Sequence, residues 1–283
     1  MIQVVKNMVR IIAVTGGKGG TGKSTVAVSL AHELSKKEKV LLVDSDVDCP
    51  DDHLILGISR THQRTVSQRI PKIDKESCKK CGICGSVCKT KAIVAIPEKD
   101  PFLIPEQCNG CGACKIACPN DSISWDKKIV GEIYKGKKDK LGLLSGEMRA
   151  NEPVSEFIVN ALNKDIGNIK DNFDYVIIDT AAGTHCPVIA AIKNAQTAIA
   201  VTEPTPLGHH DLNAILKILK KTGVRSKIVV NRSDLGNISQ IKELSKLYDT
   251  KIALEIPFSK KIIDSYCNAE PIEIPNIISL VER

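Results

Sequence analysis

Residues 16–25 read GGKGGTGKST, and the fold turns on what flanks them. Before them lies RIIAV at 10–14, a short and mostly apolar run; after them Val26, Leu30 and Leu34 recur at helical spacing within STVAVSLAHELSKK. Strand, loop and helix in that order give a glycine loop that opens directly onto a helix N-terminus. Glycines let the backbone close on an oxyanion without a side chain in the way, and the free amides at the helix start donate where the helix dipole favours negative charge. The whole G-x4-G-K-S/T pattern is that of a phosphate-cradling P-loop. Gly19, Gly20, Thr21, Gly22, Lys23, Ser24 and Thr25 would then surround nucleotide phosphates, with the Lys23 ammonium on the β- and γ-phosphates and the Ser24 hydroxyl on Mg²⁺.

Working outward, the alternation of apolar runs and helical patterns resumes with VLLVD (40–44), YVIID (175–179), TAIAVT (197–202), KIVVN (227–231) and KIALEI (251–256). Helical stretches such as Asp211 to Lys221 and Ile238 to Tyr248 lie between them. Continuous apolar strands separated by helices predict an α/β fold: a mostly parallel sheet covered by helices on both faces. The alternation breaks once, after SRTHQRT (59–65). An insertion is expected over 63–146, leaving 1–62 and 147–283 as the nucleotide-binding domain.

Inside the insertion, CKKCGICGSVCK (78–89) and CNGCGACKIACP (108–119) repeat one cysteine pattern at a constant offset. Cys78, Cys81, Cys84 and Cys88 correspond to Cys108, Cys111, Cys114 and Cys118, and KAIVAI follows the first loop much as DSISWD follows the second. Two equivalent halves, each too small for its own core, imply a metal-stapled, pseudo-symmetric module over about 73–127. The second run has the C-x2-C-x2-C-x3-C-P spacing of bacterial 4Fe-4S ligation, and the first differs only by Lys89 in place of proline. Zinc is the alternative for paired CxxC units, although spacings of two, two and three in one short loop suit a cubane better than a tetrahedral ion. Gly82, Gly85, Gly110 and Gly112 would let the backbone wrap closely, and Trp125 reads as packing in the small core.

The 283 residues are 42% hydrophobic, enough for a sizeable core and a satellite. Eight of the eleven cysteines fall in the two runs, which points to ligation of metal rather than disulfides, and to reduced thiols in a cytoplasmic setting. Lys6 and Arg10 flank only short apolar pieces, so neither a secretory segment nor a membrane span is expected. The formal charge of +7 is no argument for nucleic acid, because aromatic residues make up 3% and the lysine-rich YKGKKDK (134–140) reads as a solvated loop.

Lys18, directly before Gly19, gives the KGGxGK-S/T variant, which resembles the deviant Walker A of the MinD/ParA/Mrp and nitrogenase iron protein class. The resemblance implies an ATP-sandwiched homodimer in which Lys18 contacts phosphates across the interface. It also assigns Asp46, in DSDVD (44–48), to orienting the attacking water, with Asp44 and Asp48 as neighbours. Asp179, in DYVIIDTAAG, becomes a Walker B residue holding Mg²⁺ through water, Gly183 a switch glycine, and Asn231 a contact to adenine. With the cysteine runs included, the chain resembles MinD-superfamily ATPases carrying an inserted, α+β, two-cluster bacterial-type ferredoxin module. In that pattern the fourth cysteine crosses over: Cys78, Cys81, Cys84 and Cys118 share one cluster, and Cys108, Cys111, Cys114 and Cys88 the other.

Cys49, Cys186 and Cys267 stand apart and are expected as buried structural thiols; a cluster bridging Cys49 and Cys186 between subunits is a second reading. His209 and His210, and His185 beside Cys186, read as capping or packing residues. Three functions follow from the resemblance. The first is an ATPase of low basal turnover coupling dimer rearrangement to iron–sulfur or metallocofactor assembly, the second an ATP-gated electron carrier, and the third a redox-sensing adaptor without turnover. Each requires a redox or metallocluster partner protein.

Overall fold

A computed structural model describes residues 8–282; Lys6 lies outside the described residues. The larger of two compact units comprises the chain up to Gln63, Ile133–Glu147 and everything from Val159 onward; the smaller comprises Arg64–Glu132 and Met148–Ile158. The insertion expected over 63–146 therefore differs from this division. Residues 133–147 belong with the larger unit, and 148–158 with the smaller.

In chain order the elements are β1 (Arg10–Thr15), α1 (Lys23–Ser35), β2 (Val40–Ser45), α2 (Asp52–Ile55), β3 (Thr61–Ile73), α3 (Ile83–Ser86), β4 (Ile93–Val94), β5 (Phe102–Leu103), α4 (Ala113–Ile116) and β6 (Ile123–Lys138). There follow β7 (Leu141–Met148), α5 (Glu156–Ile169), β8 (Tyr175–Thr180), α6 (Cys186–Ile192), β9 (Thr197–Thr202), α7 (Pro206–Thr222), β10 (Arg225–Asn231), α8 (Ser239–Leu247), β11 (Lys251–Ile256) and α9 (Lys260–Cys267). Strand order in the main sheet is β11-β10-β9-β1-β8-β2-β7-β6-β3. From β11 to β7 every pairing is parallel.

Six of the seven parallel strands, β1, β2 and β8 to β11, are the apolar runs anticipated from the sequence, and all but the edge strand β11 carry buried stretches beneath covering helices. Helix α1 packs Val26, Ala27, Leu30, Ala31 and Leu34 into a core shared with Ile12, Val14, Leu42 and Ile177. Strand β1 lies between β8 and β9; β1 leads through β2 toward β7, whereas β8 leads through β9 toward β11, so connections leave the centre of the sheet in opposite directions. Ligands gather in the crevice at the carboxyl ends of strands beside such a switch point.

Strand β7 was not anticipated. Its sequence LGLLSGEM contains Gly142, Ser145 and Gly146, which interrupt the apolar run, yet Val40–Asp44 pair with Leu141–Ser145 in parallel register. Gly142 packs closely there: a Cβ would lie 3.2 Å from the Phe173 ring, which would have to shift slightly. The lysine-rich 134–138, expected as part of a solvated loop, belongs to the long strand β6, and the polar segment 61–65 belongs to the long strand β3. Along β3, Val66, Gln68 and Ile70 are buried while Thr65, Ser67 and Arg69 are exposed, the period-two signature of a half-buried strand.

The smaller unit carries the cysteine repeat as repeated geometry. Helices α3 and α4 are both headed by a left-handed glycine, Gly82 at φ 79° and Gly112 at φ 80°. The Cys88 amide donates to Gly85 O at 3.2 Å as Cys118 donates to Lys115 O at 3.3 Å; Lys91 donates to Cys88 O at 3.2 Å as Asp121 donates to Cys118 O at 3.3 Å. Cys84, Ile93, Cys114 and Ile123 form its buried centre, two residues from each half. Trp125 packs against Gly112 and lies under the Arg69 guanidinium, 5.0 Å from its ring centre.

Candidate nucleotide site and cysteine cradles

The glycine loop runs from the end of β1 into α1 with the backbone its sequence requires. Gly20 and Gly22 have φ of 78° and 93°, values at which a side chain is strained. Space is short as well as conformation: a Cβ on Gly17 would lie 2.6 Å from Asp211, and one on Gly22 would overlap the Asn231 amide. Lys23 is buried and its Nζ donates to Lys18 O at 3.2 Å, while the Thr21 hydroxyl donates to the same carbonyl at 3.4 Å. The ammonium is thus folded back over the loop, poised above the amides that open α1.

Acidic groups close the other side. Asp44 and Asp179 end adjacent strands in register, and both are fully buried. Asp44 Oδ1 accepts from the Asp46 amide at 3.2 Å and Oδ2 from the Asp52 amide at 3.3 Å, so it organises the DSDVD loop rather than facing a ligand. Burial pushes its carboxyl well above the usual carboxylate range, with the Asp179 charge acting in the same direction. Neither oxygen of Asp179 has a hydrogen-bond partner by geometry, although the Ser24 hydroxyl lies near enough to favour its ionised form; burial outweighs this and raises the carboxyl to about 7. A buried, unpartnered carboxylate beside a P-loop serine is the arrangement a hydrated divalent cation would complete. Asp46 lies farther out, raised by burial and pulled back by Lys23. Asp48 is exposed.

One cavity is lined by Gly19, Gly20, Gly22, Lys23, Ser24 and Thr25, and Asp46 and Asn231 line it too. Thr21 is buried beneath the loop. Asn231 Nδ2 donates to Thr21 O at 2.9 Å and its Oδ1 accepts from the Arg232 amide at 3.0 Å, so its side chain braces the P-loop. Gly183, at φ 102°, donates its amide to Gly16 O at 3.2 Å and ties the segment after β8 to the same loop.

Sequence reasoning missed the opposite wall. Pro257, Phe258, Ile262 and Tyr266 give the cavity an apolar side suited to a nucleobase, and Arg232, ion-paired to the buried Glu203, borders it. No motif marks these residues, because they come from a strand end and a helix face. Asp52, fully buried with both oxygens unpartnered, was also missed; it was hidden among the neighbouring aspartates. Cys49, Cys186 and Cys267 are all exposed, which corrects the expectation of buried thiols. His209 and His210 fall in the first turn of α7, whose cap is the Thr205 hydroxyl accepting from Gly208 N.

In the smaller unit Cys78, Cys81, Cys84 and Cys118 line one cavity together with Gly82. Cys88 packs against the cluster that holds Cys108, and Cys111 lies close enough to Cys114 to act on its charge. The Lys80 amide points at Cys78 Sγ and the Gly110 amide at Cys108 Sγ, each at 3.4 Å. Burial pushes Cys88 up, but amides of Ile93, Ala92 and Thr90 and the Thr90 hydroxyl outweigh it, leaving the thiol lowered. Among the described residues no three His, Cys, Asp or Glu side chains converge on a point that could hold a single metal ion.

The model of the CobQ/CobB/MinD/ParA nucleotide binding domain matches residues 12–272. The chain belongs to that family. Members of this MinD/ParA family are ATPases, and ATP hydrolysis is accordingly this chain's activity. Over 92% of its length it is 37% identical to an uncharacterized Methanocaldococcus jannaschii protein, MJ0579, of which it covers 90%. It shares its fold with the cell division ATPase MinD of Pyrococcus furiosus, with 20% identity, a TM-score of 0.60 and 96% and 97% of the two chains covered. The septum site-determining MinD of Pyrococcus horikoshii, solved with Mg-ADP, is similar at 19% identity and a TM-score of 0.59, over 96% of this chain and 92% of that one. As a MinD/ParA-family protein the chain has a P-loop α/β architecture, and no helix among its described residues is long and apolar enough to cross a membrane.

Proposed function

We propose that this MinD/ParA-family ATPase couples Mg-ATP-driven rearrangement of a homodimer to iron–sulfur or metallocofactor assembly, acting in the cytoplasm on a redox or metallocluster partner protein. The observation that carries the reading is the crossing of the cysteine halves. Cys118 from the second loop shares a cavity with Cys78, Cys81 and Cys84 from the first, and Cys88 packs against the cluster of Ile70, Ala92 and Cys108. That placement supports a reading in which the fourth cysteine of each run serves the other run's cluster, the three-plus-one ligation of a two-cluster 4Fe-4S ferredoxin. Amides aimed at Cys78 and Cys108 sulfurs suit anionic thiolates. Cysteine spacings of two, two and three within one short loop favour a cubane over a single tetrahedral zinc ion.

The roles at the nucleotide follow from the geometry. Amides of Gly19 to Thr25 and the Lys23 ammonium would hold the phosphates, Ser24 and Asp179 would hold the cation, and Asp46 would direct a water at the γ-phosphate. Lys18 would complete the partner subunit's site. When bound, the two clusters would supply one-electron transfer or cluster donation, while this chain's residues set their position and exclude water. An ATP-gated electron carrier is the second reading, supported by the same cysteines.

The test is anaerobic preparation with iron and sulfide analysis, followed by transfer assays. About eight iron atoms per chain are expected, four for each cluster. Mg-ATP-dependent activation of an apo iron–sulfur protein supports assembly; partner reduction that stops with a non-hydrolysable analogue supports gating. Material loaded under reducing, anaerobic conditions that still carries no iron sinks both.

A further inference from the structure

The nucleotide cavity has two walls from distant parts of the larger unit. The acidic loop after β2 contributes Asp46, Cys49 and Asp51; α9 and the residues before it contribute Phe258, Ile262, Ile263 and Tyr266. One side-chain hydrogen bond joins them: the Tyr266 hydroxyl donates to Asp51 Oδ2 at 3.2 Å, across 215 residues of sequence. Asp51 occupies the N-cap of α2, where an aspartate ordinarily turns its carboxylate onto the first helical amides. It makes no such bond here. The carboxylate is given to the tyrosine instead, and the Tyr266 ring remains 44% exposed.

We propose that the Tyr266–Asp51 hydrogen bond is a strap across the mouth of the nucleotide cavity that holds the acidic loop against α9 and slows release of bound nucleotide. The inference rests on nucleotide occupying the P-loop cavity. A nucleoside lying against Phe258 and Ile262 sits between the two walls, so its departure requires them to part. Parting them breaks this bond. The strap also has an electrostatic consequence, because the Asp51 charge bears on Asp44, Asp46, Asp52 and Asp179, and a loop held in place fixes where that charge stands relative to the phosphates. Tyr266 touches neither phosphate-binding amides nor cation-holding groups, so the hydroxyl acts on release and not on the chemical step. It is a positioning residue.

Stopped-flow release of mant-ADP from the full chain tests this with Tyr266→Phe, Asp51→Ala and the double variant. Loss of one exposed hydrogen bond should speed release about two- to tenfold in Tyr266→Phe. The double variant should release no faster than Asp51→Ala alone, since the two residues act through one bond. Unchanged release in Tyr266→Phe, or additive effects in the double variant, would overturn the strap. The unaltered chain and Lys23→Ala keep this apart from the underlying reading: if the former fails to bind mant-ADP, nucleotide occupancy and strap fall together. If it binds and Lys23→Ala does not, an unaffected Tyr266→Phe sinks the strap alone. Should Tyr266→Phe fold poorly by circular dichroism, Asp51→Ala must show the faster release by itself.

Discussion

Asp44 and Asp179 stand opposite one another across the paired strands β2 and β8, both fully buried, at the strand ends beside the P-loop. Their roles separate through hydrogen bonding. Asp44 accepts two amides of its own loop, whereas Asp179 is unpartnered by geometry and open to a cation. A fold that buries such a pair gives up stability so that a divalent ion can restore it on binding.

The cost has a sign and a pH window. Asp179 titrates near 7 in the folded chain, against 3.8 as its reference. A carboxyl raised by folding binds more protons in the native state. Its contribution is present below about 4 and is lost as pH rises through 7. Metal-free protein should therefore melt at progressively lower temperature between pH 4 and pH 8, and Asp179→Asn should flatten that trend. The ceiling is about 4 kcal/mol for a shift of roughly three units. Thermal unfolding across that range, without Mg²⁺ or nucleotide, checks it; a slope unchanged in Asp179→Asn refutes the assignment. Mg²⁺ binding should strengthen through the same window as the carboxylate ionises.

Gly22 and Asn231 make a second, steric prediction. Gly22 sits at φ 93°, and a methyl there would collide with the amide that donates to Thr21 O. Gly22→Ala should cost about 1–3 kcal/mol in strain and displace Asn231. Asn231→Ala removes the brace without adding strain and should cost about 1 kcal/mol. Both should weaken ATP binding, Gly22→Ala the more. Calorimetric titration with ATP, beside thermal unfolding, distinguishes them; an Asn231→Ala chain with unaltered stability and ATP affinity would remove the bracing role.

The crossing of the cysteine halves predicts asymmetric damage. Cys118 lines the cavity of Cys78, Cys81 and Cys84, and Cys88 packs against the cluster of Ile70, Ala92 and Cys108. Cys118→Ser should thus impair the cluster of the first loop and Cys88→Ser that of the second, each lowering iron content by up to about half. Comparing the paramagnetic resonance of each variant with that of first-loop Cys81→Ser and second-loop Cys111→Ser decides it. Cys118→Ser matching Cys111→Ser would mean that each loop keeps its own four ligands.

What could be read from residues alone was whatever carried a dense local signal. GGKGGTGKST and the branched apolar runs of β1, β2 and β8 to β11 are of that kind, since burial on both faces leaves continuous hydrophobic sequence. Strand β7 was missed because Gly142, Ser145 and Gly146 dilute its run, Gly142 packing closely against the Phe173 ring. Strand β3 alternates buried and exposed residues only over 65–70, and β6 ends in a run without buried residues, so both carry weak strand signals in the sequence. The base-side wall was invisible for another reason. Phe258, Ile262 and Tyr266 meet only after β11 and α9 are in place. Asn231 was legible as a site residue through resemblance, but its amide is engaged with Thr21 and Arg232, a fact no spacing reveals.

The two lysines of the loop should fail in different ways. Lys23 is buried and folded over the P-loop, its ammonium 3.2 Å from Lys18 O, so its loss removes charge-assisted bonds that each phosphate group would receive. Lys23→Ala should weaken ATP binding by about a hundredfold or more, as two such bonds of about 1.5–3 kcal/mol each imply. Lys18 lends the loop its backbone carbonyl, which any residue would keep. Lys18→Ala should therefore leave binding of ATP to the single chain within about a fewfold of normal, while abolishing the ATP-dependent dimer in which its side chain serves the partner's phosphates. Light scattering with and without Mg-ATP, paired with equilibrium binding, separates the two. A Lys18→Ala chain that still dimerises on adding ATP would show that the side chain acts within its own subunit, and the sandwiched arrangement proposed for this protein would lose its residue-level support.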